Sequence, residues 1–228
     1  SETDFMYREI FADAAYLRHG ITLPAGSCIF DVGANLGLFS LFAQQQCKTA
    51  TIYAFEPIPA IFELLRLNTA LYGVNATNLL YGLASEAKID TFTYYPHVSV
   101  VSGRFADATE EQAVIKSFLL NETTDDMSAD TINELLNVRL QSEQIDCQFK
   151  TLSEVIAEHQ VQQIDLLKID VEKSEYDILL GIAEPDWAKI KQIIFYLKCH
   201  PHCFSKGSHF LYSFRIRRYR RGAGCTTT

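Results

Sequence analysis

The chain has 228 residues, of which 48% are apolar and 21% charged, which is enough for one globular domain with a substantial core. Its formal net charge of −8 argues against a broad nucleic-acid-binding surface, because such a surface needs clustered Lys and Arg. No apolar run reaches the roughly 18 residues of a membrane span, and the polar N-terminus lacks the pattern of a secretory signal. We therefore expect a cytoplasmic protein that binds neither nucleic acid nor membrane, with most of its six Cys residues reduced.

The first third of the chain alternates between short apolar runs and helical apolar spacing. Strands are predicted over residues 28–30, 51–55 and 78–83, and helices over residues 5–18, 36–46 and 57–72. The first of these strands is expected to stop before Asp31. This order of strands and helices is typical of a parallel sheet covered by helices.

A long insertion at residues 84–150 then interrupts the alternation. It contains a β-prone stretch at 91–95 and two predicted helices at 109–120 and 125–140. In a doubly wound fold, an insertion after the carboxyl end of a strand lies over the ligand crevice. The insertion is therefore predicted to form a cap over the substrate.

Regular alternation resumes at Thr151, where Thr151–Glu154 matches a capping box that starts a helix. Further elements are predicted as a strand over 164–170, a helix over 174–183 and a strand over 192–197. We predict an α/β fold with a Rossmann-like, doubly wound and mostly parallel sheet, formed by a domain over residues 1–195.

Residues 196–228 differ in composition from the rest, since they contain seven Lys or Arg and no Asp or Glu. Phe210, Tyr212 and Phe214 alternate as in a strand, but no further element follows that would complete the sheet. We therefore expect an atypical basic tail, of aberrant origin, and an incomplete sheet edge at this end of the chain.

The segment Asp31–Gly37 is predicted to be a ligand-binding turn between a strand and a helix. Gly33 allows a sharp turn and a close approach to a ligand, and Gly37 keeps the following helix near the strand. Asp31 either reaches polar groups of the ligand or organises the loop. Glu56 ends the second strand 25 residues later, where an acid is expected to bind both ribose hydroxyls of an adenosine ligand.

The glycine spacing separates two classes of adenosine cofactor. Nicotinamide enzymes use a G-x-G-x-x-G turn, which directs a helix N-terminus at a pyrophosphate. Here Gly33 and Gly37 are separated by three residues and Asp31 precedes the turn, where a carboxylate would repel a pyrophosphate. The same carboxylate suits the ammonium and sulfonium of S-adenosylmethionine, although a structural turn without any ligand remains an alternative.

Three motifs together resemble those of FkbM-family methyltransferases: Phe30–Gly37, Phe55–Pro57 and Ile164–Glu172. The resemblance covers about residues 5–195 and is nearest to O-methyltransferase domains of bacterial, particularly cyanobacterial, polyketide and nonribosomal peptide assembly lines. It implies S-adenosylmethionine as cofactor. It also implies O-methylation of a hydroxyl on a small metabolite or on an intermediate tethered to a carrier protein.

The resemblance also implies roles for individual residues. Asp170 would face both the cofactor and the acceptor, and Glu172 is a second catalytic candidate. The family commonly has Gly where this chain has Lys173. The residues that would bind the cofactor are Asp31, Gly33, Asn35 and Gly37 at the methionine end, and Glu56 with Pro57 at the ribose.

Other candidates come from residue types alone. His97, in the insertion, is a candidate general base for the acceptor hydroxyl. The cluster Cys199–Cys203 has metal-binding residue types, but structural zinc sites draw their ligand pairs from two separate segments, so no metal is expected. Two other functions stay open: a cofactor-binding remnant without turnover, and an NAD-dependent oxidoreductase.

Overall fold

The fold is built around a six-stranded sheet. A computed structural model describes residues 2–18, 20–99, 102–105, 136, 138, 140–171, 173–197 and 210–215. Its strands are β1 (Cys28–Val32), β2 (Thr51–Phe55), β3 (Ala76–Leu79), β4 (Gly82–Leu83), β5 (Lys88–Tyr94), β6 (Glu143–Lys150), β7 (Leu166–Ile169), β8 (Gln192–Leu197) and β9 (Phe210–Arg215).

The main sheet has the order β3-β2-β1-β7-β8-β9. The first five strands are parallel, and β9 pairs antiparallel with β8 at the edge. The chain runs outward from β1 to β3 and returns on the other side through β7, so the strand order reverses between β1 and β7. In open sheets of this kind, the ligand crevice lies at the carboxyl ends of the strands at that reversal.

Helices cover both faces of this sheet. The α-helices are α1 (Glu2–Tyr7), α2 (Leu38–Gln46), α3 (Pro59–Leu71), α4 (Leu152–Glu158) and α5 (Glu175–Leu180), with a π-helical turn at Arg8–Ala12 and 3₁₀ turns at Ala15–Leu17 and Glu184–Lys189. Ile29 packs into a core beneath α2, whereas Phe30 packs into a second core with α4 and α5. Because neighbouring strand residues point to opposite faces, these two cores confirm the predicted doubly wound architecture.

The insertion contributes a second, three-stranded sheet of order β4-β6-β5. The strand predicted over 78–83 is therefore wrong as one element, because the chain leaves the main sheet after Leu79 and joins the small sheet at Gly82. The ring of Phe149 covers Gly82 so closely that a Cβ there would lie 2.5 Å from a ring carbon. The helix predicted over 109–120 and most of that over 125–140 lie outside the described residues.

The structure differs from three further expectations in detail. The first strand continues through Asp31 to Val32 and does not stop before Asp31, and the N-terminal segment forms three short helical pieces where one helix is predicted. The edge expected to be incomplete gains β9, which pairs with β8 from Gln192–Arg215 to Leu197–Phe210. The Cys199–Cys203 cluster and the residues after Arg215 lie outside the described part of the chain. Within that part, no helix is long and apolar enough to cross a membrane.

The predicted capping box at Thr151 is confirmed. The Thr151 hydroxyl accepts from the Glu154 amide at 3.1 Å, and the Glu154 carboxylate accepts from the Thr151 amide at 2.7 Å. Thr151→Ala should lower the free energy of unfolding by about 1 kcal/mol, because it leaves the Glu154 amide without its acceptor. Urea unfolding measures this loss, and Thr151→Ser, which keeps the hydroxyl, should remain close to the wild type.

Candidate functional site

A cleft of about 870 Å³, part of it open to solvent, lies at the carboxyl ends of β1, β2 and β7. This is the reversal point of the strand order. Its floor contains the turn after β1 and the end of β2, and the small sheet forms one wall through Phe92 and Phe149. Polar groups in its lining include Asn35, Glu56, Asp170 and Ser174. A mostly apolar lining with a few converging polar groups is typical of cofactor sites.

The turn after β1 brings main chain to the cleft. Gly33 has φ +74°, and a Cβ there would lie 2.0 Å from the Asp170 carbonyl oxygen. Only glycine therefore fits where this turn passes the end of β7. Asn35 also has positive φ, at +48°, a conformation that Asn tolerates better than most residues. Its amide group donates to the Ser99 hydroxyl at 3.1 Å, which ties the turn to the insertion.

Glu56 is a buried carboxyl group at the cleft, with 5% of its surface exposed. The backbone amides of Asn35 and Ile58 each donate to one of its oxygens at 3.0 Å. Burial raises its pKa to about 7, although these two hydrogen bonds act in the opposite direction. The carboxyl group is thus fixed in place, and its oxygens can accept further hydrogen bonds, for example from ligand hydroxyls.

A buried ion pair lies directly beneath the turn. Asp31 and Lys168 are register partners on β1 and β7, and their side chains meet at 2.9 Å between Oδ1 and Nζ. Lys168 Nζ also donates to the Gly33 carbonyl at 3.0 Å, while the second oxygen of Asp31 accepts from the Ser40 hydroxyl at 2.7 Å. Burial alone would lower the pKa of Lys168, but Asp31 and Asp170 raise it above its usual value.

Asp170 follows β7 and lines the cleft. Its Oδ2 accepts from the Tyr16 hydroxyl at 2.7 Å and lies 3.5 Å from Lys168 Nζ. Among the described residues, no hydrogen bond reaches its Oδ1. The side chain is 36% exposed, in contrast to the buried Asp31. Asp170 therefore presents one anchored and one available oxygen.

Arg104 closes the wall formed by the insertion. Its guanidinium lies over the ring of Phe149, 4.8 Å from the centroid, and pairs with Asp177 of α5. A second carboxylate, that of Asp90, lies 3.6 Å away. These contacts link the small sheet to the main domain across the cleft.

The structure brings together some of the predicted site residues and separates others. Asp31 is fully buried with both oxygens bonded within the protein, and Gly37 lies behind the turn against Leu65. His97 is exposed and outside the cleft lining, and Glu172 lies outside the described residues. The predicted residues that line the cleft are Gly33, Asn35, Glu56, Pro57 and Asp170.

Sequence reasoning missed Lys168, Tyr16 and Arg104 as contributors to the site. For Lys168 a signal existed, because a charged residue inside an apolar, buried strand requires a buried partner. Asp31 is the acid of the adjacent strand and meets that requirement. No pattern in the sequence pointed to Tyr16 or Arg104.

The close approach at Gly33 can be tested against a second glycine with the same backbone. Gly26 has φ +77° and no atom within 4 Å of a Cβ built on it, so Gly26→Ala should cost about 1 kcal/mol of backbone strain. Gly33→Ala adds a collision with main chain and should cost about 3 kcal/mol or more. Urea unfolding of both variants measures the difference, and equal losses would contradict the close approach.

The buried Glu56 predicts a pH dependence of stability. Because its pKa rises from 4.5 to about 7 on folding, the native state binds more protons than the unfolded state between these values. Stability should therefore fall as pH rises through this window and level off above it, by roughly 3 kcal/mol from this group. Glu56→Gln should reduce the slope of unfolding free energy against pH.

The surface variant Glu63→Gln is the control and should keep the full slope. Glu9, whose pKa is also raised to about 7, mainly by burial and then by Asp170, should contribute to the slope that remains in Glu56→Gln. An unchanged slope in Glu56→Gln would contradict the assignment.

Comparison with known proteins gives the family. The family described as Methyltransferase FkbM domain matches residues 31–220, a range that extends past 195 and includes β9. Over 194 residues the chain is 39% identical to the 31-O-demethyl-FK506 methyltransferase FkbM of Streptomyces tacrolimicus, covering 85% of this chain and 74% of that protein.

A second relative is much longer. The chain is 40% identical over 199 residues to the AMB antimetabolite synthetase AmbE of Pseudomonas aeruginosa, which covers 85% of this chain and 9% of the synthetase. The chain thus spans less than a tenth of that relative. Among solved structures, the SAM-dependent methyltransferase of Agrobacterium tumefaciens has a TM-score of 0.37 at 9% identity, covering 86% of this chain and 47% of that chain.

The family match covers most of the chain and includes the motifs Phe55–Pro57 and Ile164–Glu172 and all of Phe30–Gly37 except Phe30. Together with the relative of similar length, it establishes that this chain belongs to the FkbM family of methyltransferases.

Proposed function

We propose that the chain is an S-adenosylmethionine-dependent O-methyltransferase that acts on a hydroxyl of a small metabolite. The observation that carries this proposal is the pair of carboxyl groups at one cleft. Glu56 stands at the end of β2 and Asp170 after β7, on either side of the glycine turn. This separation provides one carboxyl group for the cofactor and one for the acceptor.

The residues present fit the cofactor. The turn at Gly33 leaves no room for a side chain, so main chain borders the cleft at the point expected to receive the methionine end. Glu56 is buried and held by two amides, and its carboxylate lone pairs can still accept from vicinal ribose hydroxyls. Ile58 and Ile61 add apolar surface beside it for an adenine ring.

When bound, S-adenosylmethionine supplies an activated methyl carbon, whose bond to sulfur breaks as its bond to the acceptor oxygen forms. Asp170 lies beside the turn and has an oxygen available for the acceptor. Its Oδ1 would accept the hydroxyl hydrogen, orient the oxygen lone pair and receive the proton as the ether forms. The role of Asp170 is therefore to align the acceptor and hold its proton.

His97 is a less favourable base than Asp170, because its exposed side chain lies outside the cleft lining. Glu172 keeps its place as a second candidate from the family motif. Asp31 is better suited to support the turn than to contact the cofactor, since both of its oxygens are bonded within the protein.

The relatives suggest the class of acceptor. One is a 31-O-demethyl-FK506 methyltransferase, and another is an antimetabolite synthetase of which this chain matches a small part. A free hydroxylated metabolite suits the first, and an intermediate tethered to a carrier protein suits the second. Both acceptors present a hydroxyl to Asp170 and differ only in what holds the rest of the molecule.

The decisive binding experiment compares S-adenosylhomocysteine with NAD by calorimetry. We expect S-adenosylhomocysteine to bind and NAD not to bind. Glu56→Gln should lower the affinity for S-adenosylhomocysteine by about tenfold or more, because it removes a charged hydrogen-bond acceptor. Affinity for the wild type should rise as pH increases through about 7, since hydroxyl donors favour the ionised form of Glu56. Glu63→Gln should bind as the wild type does.

Methyl transfer is then measured with labelled S-adenosylmethionine. The acceptors are 31-O-demethyl-FK506 and simple secondary alcohols, each alcohol offered free and as a carrier-protein thioester. Transfer to a hydroxyl supports the proposal. The form of the alcohol that is methylated faster, free or as a carrier-protein thioester, identifies the acceptor class. Binding of S-adenosylhomocysteine without transfer to any of them would favour the remnant, and preferential binding of NAD would overturn the cofactor assignment.

A further inference from the structure

The N-terminal segment reaches the cleft although it lies outside the sheet. Tyr16, in the 3₁₀ turn Ala15–Leu17, donates its hydroxyl to Asp170 Oδ2 at 2.7 Å across 154 residues of sequence. In the same segment, Met6 lines the cleft. Residues before β1 therefore contribute directly to the site.

The Tyr16 hydroxyl has little freedom to move. Tyr16 is 3% exposed, and its ring packs against Phe39 of α2 with 5.0 Å between centroids. Lys168 Nζ lies 5.8 Å from the same ring, on the side of the buried ion pair. Because the ring is held by packing, the hydroxyl defines a fixed position for the oxygen that it contacts.

Both contacts to the Asp170 side chain fall on one oxygen. Tyr16 donates to Oδ2, and Lys168 lies 3.5 Å from that same atom. Among the described residues, Oδ1 makes no hydrogen bond. Two anchors on Oδ2 fix the rotation of the carboxylate, and this leaves Oδ1 for a group in the cleft.

The surrounding charges keep Tyr16 a donor. Burial, and then the negative charge of Asp170, raise the pKa of Tyr16 well above its usual value, so its hydroxyl stays protonated at working pH. Glu9 and Asp31 add negative charge near this group, and Lys168 is the cation that balances it. A neutral donor therefore holds Asp170 without cancelling its charge.

From this geometry we infer that Tyr16 is a positioning residue, which holds Asp170 in the rotamer that presents Oδ1 to the acceptor hydroxyl. The inference rests on the proposed role of Asp170 in methyl transfer. It extends the active site to the N-terminal segment and gives that segment a function beyond covering the core.

The test uses Tyr16→Phe, which removes only the hydroxyl. The matched control is Tyr81→Phe, since the Tyr81 hydroxyl is buried without a hydrogen-bond partner among the described residues. We expect Tyr16→Phe to lower kcat by about 100-fold, the loss typical of a misplaced reacting group. KM for S-adenosylmethionine and the affinity for S-adenosylhomocysteine should be unchanged, and Tyr81→Phe should keep the wild-type kcat.

A double-mutant cycle shows whether Tyr16 acts through Asp170. If it does, Tyr16→Phe combined with Asp170→Asn should be no slower than Asp170→Asn alone. Wild-type kcat in Tyr16→Phe, or losses that multiply in the double variant, would overturn the inference.

Crystal structures of the two tyrosine variants provide a readout that needs no acceptor. The Asp170 carboxylate should rotate in Tyr16→Phe and keep its place in Tyr81→Phe, and an unmoved carboxylate in Tyr16→Phe would overturn the inference. Failure of the wild type to bind S-adenosylhomocysteine would instead contradict the proposed function, and the crystallographic comparison would still decide the role of Tyr16.

Discussion

The buried pair between Lys168 and Asp31 is the interaction on which the site depends. An ammonium group inside a sheet is tolerated only if its desolvation is offset by well-placed acceptors. Lys168 has the Asp31 carboxylate at 2.9 Å, the Gly33 carbonyl at 3.0 Å and the Asp170 carboxylate at 3.5 Å. One side chain thereby supports the register of β1 with β7, the path of the glycine turn and the position of Asp170.

Asp31, Asp170 and Glu56 lie close together but have different surroundings. Lys168 balances the charge of the buried Asp31 carboxylate, which supports the turn from below. Asp170 pairs with the same Lys168 and also lines the cleft. Glu56 is held by main-chain amides, and burial raises its pKa to about 7. These different environments suit the three carboxyl groups to the roles that we propose: Asp31 supports the turn, Asp170 aligns the acceptor and Glu56 binds the cofactor.

Local patterns predicted most of the fold, because strand periodicity and the Thr151 capping box depend only on residues that are close in the sequence. Glu56, which the sequence predicts to bind the ribose, lies in the lining of the cleft. Local patterns did not reveal partners that are distant in the sequence. Lys168, 137 residues from Asp31, balances the charge of the Asp31 carboxylate, so this carboxylate would repel a pyrophosphate less than the sequence indicates. The contact of Tyr16 with Asp170 also joins distant parts of the chain, and no local pattern indicated it.

At Lys173 the structure explains a feature of the family pattern. The backbone of Lys173 has a φ of +60°, which glycine adopts more readily than other residues, and the family commonly has Gly at this position.

We propose that one cleft holds the cofactor at Glu56 and the acceptor at Asp170, and a crystal structure of the complex with S-adenosylhomocysteine is the sharpest test. We expect both ribose hydroxyls to contact the Glu56 carboxylate, the amino-acid end to lie beside the turn at Gly33, and the sulfur to face the space next to Asp170. A ligand bound with its ribose away from Glu56, or with its sulfur on the side of the turn opposite Asp170, would contradict it.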